Sequence, residues 1–380
     1  MPQPDTPVAI IGGGVVGAAV AYTLARRGVE SVLLEAEDEL ALGASGTNSG
    51  ILHTGFDSPP GELETGLILR AAELRDSVVR ELGVRVLHCG ALLVPHGDDE
   101  ARVVAGIADG ARANAVEVHL RDDGTLEIPG ESVTDPVAYT HALARAAVAA
   151  GSRIRTEARV DRIARLGDDG LALGLAAGGE VTCKVAVNCA GLRADAVARL
   201  AGDDSFSIYP RKGEFFVFDP PAPLGSIQLP VPTKRTKGVL VFPTLGGRVV
   251  AGPTAVDQED KDDWSVRRDA QDEVMAKARS MWPPLEDAEP IAAYAGLRPA
   301  GRAGVNYLIG PSPACPGLIN VAAIRSTGLT ASLGIGEYVA ALVEQQGVEL
   351  GADRALPPGP PVAQTVEWWR RTAMHRTEVR

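Results

Sequence analysis

Three glycines, Gly12, Gly14 and Gly17, stand in G-x-G-x-x-G spacing, and an acidic residue, Glu35, follows about 20 residues on. That pattern suits a dinucleotide. Gly12 permits a tight turn, Gly14 lets the backbone approach a pyrophosphate and Gly17 allows close helix packing. The amides of Val15 and Val16 would open the helix whose N-terminus favours phosphate charge. Glu35, with Ala36 beside it, can accept hydrogen bonds from ribose hydroxyls and would repel a 2′-phosphate, which disfavours NADP. Downstream, residues 43–50 gather small and polar side chains, with Ser45, Thr47, Asn48 and Ser49 ahead of Gly50. Their hydroxyl, amide and backbone donors could reach phosphates; the alternative is an ordinary polar loop. Ala190 and Gly191 close a strand with a small-residue turn that suits close backbone approach. Gly328, Leu329 and Thr330 open a late helix whose amides could face an anion or simply begin a helix.

Elements that must position these residues are legible nearby. Residues 7–36 read as strand, glycine turn, helix and strand, with the helix ending at Gly28 after Arg26 and Arg27. Amphipathic helices are expected over 62–82, 99–114, 265–282 and 329–346. Asp135 before Pro136 predicts an N-capped helix running to about 150. The segment 84–95 reads as one or two strands turning at Gly90. Residues near 154–166 and 172–191 read as strands, and 207–254 as antiparallel sheet, being rich in β-branched and aromatic residues. The expected fold class is α/β, α+β overall.

With 380 residues, 45% of them hydrophobic, the chain can bury a large core or a nucleotide domain with a substrate domain grown into it. No apolar run approaches the roughly 20 residues that cross a bilayer, so a soluble protein is expected. The opening MPQPDTPVAII lacks a basic leader and reads as a buried strand. A formal charge of −12 argues against nucleic acid but allows a small acidic substrate in an arginine-lined site. Four cysteines without ligand spacing exclude zinc and iron–sulfur sites, so no metal is expected, and a reducing, cytoplasmic setting is the default.

GASGTNSGILHTG (43–55) resembles a segment of FAD-dependent oxidoreductases of the D-amino-acid oxidase superfamily, in the branch of glycerol-3-phosphate dehydrogenases and L-2-hydroxyglutarate oxidases. Further matching pieces are 59–74, 135–151, VAVNCAG (185–191), YAGLRP (294–299), NYLIG (306–310) and RSTGLTASLGIGEYV (325–339). The resemblance implies FAD as cofactor, on a Rossmann-like domain with an inserted, mainly antiparallel substrate domain. The expected boundaries are 1–84, 130–205 and 290–350 for the FAD domain, 85–129 and 206–289 for the substrate domain, and 351–380 for a tail. Val160 joins the cofactor-binding candidates, and the helix start at 328–330 would face the flavin ring.

The same resemblance sets His53 beside the flavin. Oxidation by hydride transfer from C–H to flavin N5 is easier when a base removes the hydroxyl proton, and histidine titrates near neutrality. A satisfied structural histidine or a covalent flavin link are the alternatives. Arg298 in G-L-R-P matches an arginine that grips a substrate carboxylate in D-amino-acid and glycine oxidases. Tyr294 belongs to the same motif. Arg325 stands where the glycerol-3-phosphate branch usually has an uncharged residue, which points to an extra anionic group on the substrate. Arg211, Lys212 and Arg302 are further substrate candidates, against the alternative of solvated charges. The implied activity is oxidation of a small hydroxy acid or phosphorylated polyol, with oxygen, a quinone or a carrier protein as electron acceptor. Amine or amino-acid oxidation is the runner-up, and a flavin-bearing module without turnover a third reading. Trp368, Trp369, Arg370 and Arg371 allow at most a peripheral membrane contact or a disordered tail.

Overall fold

The structure, a computed structural model, describes residues 4–167, 170–233, 238–360 and 366–376. The apolar run near the N-terminus forms the strand Thr6–Ile11, central in an eight-stranded sheet and paired in parallel with Ser31–Leu34 on one side and Glu180–Asn188 on the other. Parallel pairing continues outward to Arg153–Arg155 and Leu318–Ala322. A strand buried on both faces must be apolar at every position. Accordingly Val8 and Ile10 join the core under the helices, while Ala9 and Ile11 face the antiparallel strands Val160–Arg165 and Leu171–Leu175 on the opposite side.

Helices Val15–Arg26, Leu63–Glu81, Pro136–Ala149 and Gly328–Gln345 pack together over the first face. Their limits follow local chemistry. Asp135 Oδ1 accepts the amides of Val137 and Ala138, with Pro136 in the first turn, as expected of that cap. Gly28 takes φ +72° just past the first helix. The expected helix at 265–282 is shorter, Ala270–Met281, because residues before it are held in a loop by ion pairs.

A nine-stranded, mainly antiparallel sheet forms the second layer. Its spine is the long pair Ile208–Phe218 and Ala292–Gly301, in register from Ile208 opposite Gly301 to Val217 opposite Ala292. The boundary expected at 290 therefore falls elsewhere: Ala292–Gly301 belongs to the second sheet, and the chain returns to the first only with Leu308–Pro311 and Leu318–Ala322. A small sheet of Ile51–Leu52, Val86–Leu87 and Ser132–Thr134 sits between the two layers.

Beyond 350 the chain ends in the helix Trp368–Arg376, docked against the strand Ala292–Gly301. Trp368 packs edge-on to Tyr294, and Trp369 is 1% exposed within the second core. Arg371 pairs with Glu39, and the Thr372 hydroxyl donates to the Gly46 carbonyl. The expectation of a membrane-touching or disordered tail is thus corrected for the described residues: both indoles are buried against protein. No helix among them is long and apolar enough to cross a membrane.

The Trp369 indole is fully buried, yet its Nε1 has no hydrogen-bond partner among the described residues. Trp369→Ala should therefore cost about 3–5 kcal/mol in chemical denaturation. Trp369→Phe, which keeps ring burial and removes the unpaired donor, should cost less than about 1.5 kcal/mol. Equal losses in the two variants would contradict this packing.

Candidate active site

A cleft of about 710 Å³ opens where the strand Thr6–Ile11 and its parallel neighbours end. Chain direction reverses there, with one crossover leading to each side, which is where open α/β sheets bind ligands. Gly12, Gly14, Val15, Val16, Glu35, Ala36, Ser45, Asn48, Val160, Ala190, Gly191, Gly328 and Leu329 all line it. Gly12 has φ +111°, and a Cβ there would lie 2.5 Å from the Cys189 carbonyl oxygen, so only glycine fits between the two turns. Gly17 lies outside the cleft wall; its missing Cβ lets the helix press on Gly12.

Glu35 Oε2 accepts the Gly13 amide at 2.6 Å and Oε1 the Glu37 amide at 2.9 Å, which fixes the carboxylate at the strand end with lone pairs to spare. Ser45 Oγ accepts the Val15 amide at 2.9 Å, tying the 43–50 loop to the helix start. No acidic side chain stands in the first turn of that helix, although the Glu35 carboxylate meets the Gly13 amide just before it. Room, glycine-lined backbone and donor set all fit a dinucleotide.

A second, smaller cavity of about 230 Å³ adjoins the first, and Ala44, Asn48 and Arg325 line both. Thr47 and Ser49 face this second cavity, whereas Gly50 and Thr330 face neither. Gly50 instead turns the chain at φ +78°. Thr330 accepts the His53 amide and donates to the Ile51 carbonyl, so it positions the strand carrying the histidine.

His53 lines the small cavity with its side chain 25% exposed. Its Nδ1 lies 2.8 Å from Glu131 Oε2, and the other oxygen of Glu131 accepts the amide and hydroxyl of Thr54. Glu131 is 0% exposed. An ionised carboxylate only accepts, so Nδ1 carries the proton and Nε2 is left as a basic nitrogen. Behind them, Arg75 is buried and donates to the Leu52 and His53 carbonyls; burial pulls its pKa down, and the Glu131 charge counteracts. Glu131 and Arg75 were not foreseen. Glu131 is 78 residues from His53 in the chain, and no spacing rule links them.

Arginines gather on the roof of this cavity. Strand alternation sends Arg211 and Phe215 toward it, and Gly296, Arg298 and Ala300 from the paired strand. Arg211 stands directly opposite Arg298, and like charges so placed repel. Asp257, on the other flank of Arg211, forms a two-point ion pair with it at 2.6 and 2.9 Å; the same pairing raises the pKa of Arg211 and lowers that of Asp257. Arg298 feels the same Asp257 charge but makes no two-point pair with it. Its guanidinium donates to the carbonyls of Arg211, Lys212 and Thr254, with no carboxylate in ion-pair range among the described residues. Burial first, then Arg211, pulls its pKa down to about 10, which leaves it charged at neutral pH. Gly213 makes room for it, since a Cβ there would lie 2.8 Å from Arg298 Nη2. Arg325 pairs with Glu64 at 2.9 Å, and its buried Nε has no partner.

Three substrate candidates are corrected. Lys212 is one residue out of phase with Arg211, so it turns to the opposite face, 3% exposed and paired with Asp263. Tyr294 has the right phase but lies beyond the cavity, stacked on Phe215 and covered by Trp368. Arg302 follows the end of its strand and is exposed, paired with Glu259 and lying over the Tyr209 ring.

Residues 7–342 match the FAD dependent oxidoreductase family, DAO. The chain is 30% identical to glycerol 3-phosphate dehydrogenase of Caloramator mitchellensis over 87% of this chain and 72% of that one. To glycerol 3-phosphate oxidase of Mycoplasma pneumoniae it is 29% identical over 86% and 91%, and to L-2-hydroxyglutarate dehydrogenase of Escherichia coli K12 27% over 65% and 63%. Among solved structures, the dithionite-reduced, FAD-bound L-α-glycerophosphate oxidase of Mycoplasma pneumoniae superposes with a TM-score of 0.86 at 26% identity, over 96% of this chain and 100% of that one. Glycine oxidase of Geobacillus kaustophilus gives 0.79 at 25%, over 91% and 96%. The chain belongs to the DAO family of FAD-dependent oxidoreductases. FAD is its cofactor, and the glycine-rich cleft is the site whose residues fit it.

Glu35 both shapes the glycine turn and offers acceptors to the cleft. Glu35→Ala should weaken FAD retention at least about tenfold, measured as flavin per protein after gel filtration and by fluorescence titration of apoprotein. Full retention would exclude Glu35 from the site.

Proposed function

We propose that this enzyme oxidises a small hydroxy compound bearing a carboxylate or phosphate, with His53 as base and Arg298 as anion clamp. The observation that carries the proposal is Arg298, a half-buried cation whose hydrogen-bond partners are carbonyls, set in the same cavity as an imidazole held by a buried carboxylate. A partly desolvated guanidinium with no carboxylate in ion-pair range among the described residues is costly, and an anionic substrate would supply one. Arg325, paired with Glu64 but with no partner for its Nε among the described residues, and Arg211, paired with Asp257, line the same cavity on two more sides, where a doubly charged anion could draw on both.

When bound, FAD accepts the hydride released from the hydroxyl-bearing carbon. The chain supplies the rest. His53 Nε2 takes the hydroxyl proton as C–H cleavage proceeds, and Glu131 holds the ring in the needed tautomer and stabilises the imidazolium that forms. Thr54 and Arg75 keep Glu131 and the His53 backbone in place. Arg298 fixes the anionic end, so the reacting carbon is presented in one orientation. Curated relatives named for glycerol 3-phosphate and L-2-hydroxyglutarate support this reading, since both compounds set a hydroxyl close to an anionic group.

Anaerobic addition of glycerol 3-phosphate, 2-hydroxy acids or amino acids to the purified yellow protein tests it directly. A hydroxy anion should bleach the visible flavin band. His53→Ala should slow that bleaching by about 10²–10⁴-fold with FAD content unchanged. Glu131→Gln should lower kcat about 10–100-fold and shift the acid limb of the pH profile. Arg298→Met should raise KM by about 100-fold or more. Bleaching by amines alone, unaffected by His53→Ala, would overturn the proposal in favour of imine-forming oxidation. Re-oxidation by air, by a quinone or by neither then identifies the class of electron acceptor.

A further inference from the structure

The cofactor cleft has a wall that its fingerprint does not include. Lys261, Asp262 and Trp264 line it together with Arg193, Ala196, Val197 and Leu200, although 261–264 belong to the connection that leaves the edge strand Val256–Asp257 of the second sheet. This connection is built as a rigid piece. Gln258 donates to the carbonyls of Asp260 and Asp263, Asp260 accepts the Asp262 amide, and Asp263 Oδ1 accepts both amide and hydroxyl of Ser265.

Four ion pairs pin it at both ends. On the second sheet, Lys212 reaches Asp263 at 2.9 Å and Arg267 reaches the fully buried Glu214 at 2.8 Å. On the first domain, Lys261 reaches Asp195 at 2.7 Å, and Arg193 pairs with Asp262. Asp195 and Lys261 are 4% and 15% exposed, so that pair is shielded from solvent and salt. Lys212 therefore serves here: the residue turned away from the substrate cavity anchors the loop that borders the cofactor cleft. Trp264, at the centre of these four pins, is 7% exposed and lies in the wall of a cleft with room for a dinucleotide.

We propose that residues 258–267 form a clasp over the FAD cleft and that the Trp264 indole is a direct contact of the bound cofactor, with the Lys261–Asp195 pair as its latch. An aromatic face against a flavin, adenine or ribose excludes water from one side of the ligand and adds dispersion contact that the glycine turn cannot give. Release of FAD then requires the latch to part. The inference stands on the cofactor alone and is independent of which substrate is oxidised.

FAD release from the purified holoenzyme tests it, followed as the rise in flavin fluorescence after dilution into buffer, with thermal melting of each apoprotein alongside. Trp264→Ala should release FAD about tenfold faster or more, and Trp264→Phe should stay within about threefold of the unaltered protein. Lys261→Met, which leaves the indole intact, should accelerate release by a smaller factor that high salt does not reproduce in the unaltered protein. Unchanged release in Trp264→Ala would overturn the proposal, as would lower apoprotein melting in that variant with no faster release, which would make Trp264 a packing residue only. Should Trp264→Ala not fold, Lys261→Met decides: release at the unaltered rate refutes the latch and with it the clasp.

Discussion

Arg298 sits half-buried in a cavity wall with no carboxylate in ion-pair range among the described residues, and much of the surrounding architecture holds it there. A guanidinium in that position needs carbonyls in its plane, an absent side chain beside it and neighbouring charges that do not add to the cost. The long antiparallel pair supplies the first two, through the Arg211 and Lys212 carbonyls and through Gly213. Asp257 meets the third by neutralising Arg211 across the next strand. The register of these strands therefore also sets the geometry of the proposed anion site. A slip of one residue would put Lys212 and Leu297 where Arg211 and Arg298 stand.

The second constraint is contact between the two layers. Gly296, in the same motif as Arg298, lies so close to the 43–50 loop that a Cβ would stand 3.0 Å from the Thr47 carbonyl oxygen and hydroxyl. That loop also reaches the first helix through Ser45 and the C-terminal helix through Gly46. One short segment thus touches the nucleotide fold, the substrate roof and the chain's end. Its small residues serve close approach as much as ligand binding, which explains why the loop resists division into one domain or the other.

The polar chain beneath the cavity has a different logic. Glu131 and Arg75 are buried charges of opposite sign, joined through the His53 backbone and ring rather than by an ion pair. Each is hydrogen-bonded to groups around the imidazole, so part of the cost of burial is met by the same bonds that orient it. Placing the histidine at the exit of the two-residue strand Ile51–Leu52, braced by Thr330 from the last long helix, ties His53, the 43–50 loop and the core together.

Local sequence was enough for the parts whose physics is local. The glycine turn, Glu35 at its strand end, the capped helix at Asp135 and the apolar parallel strand each announce themselves within a few residues, because turn geometry, capping and two-faced burial act over that range. His53 and Arg298 stood out through motifs, and both line the smaller cavity. Which arginines share the cavity was not, since that depends on strand phase and on where a strand stops: Arg211 and Arg325 face inward, Lys212 turns to Asp263, and Arg302 falls beyond the end. Nor could sequence reveal Glu131 behind His53, the burial of Trp368 and Trp369, or Trp264 in the cofactor wall. Those contacts join residues far apart in the chain, and only the packing of one sheet on the other brings them within reach.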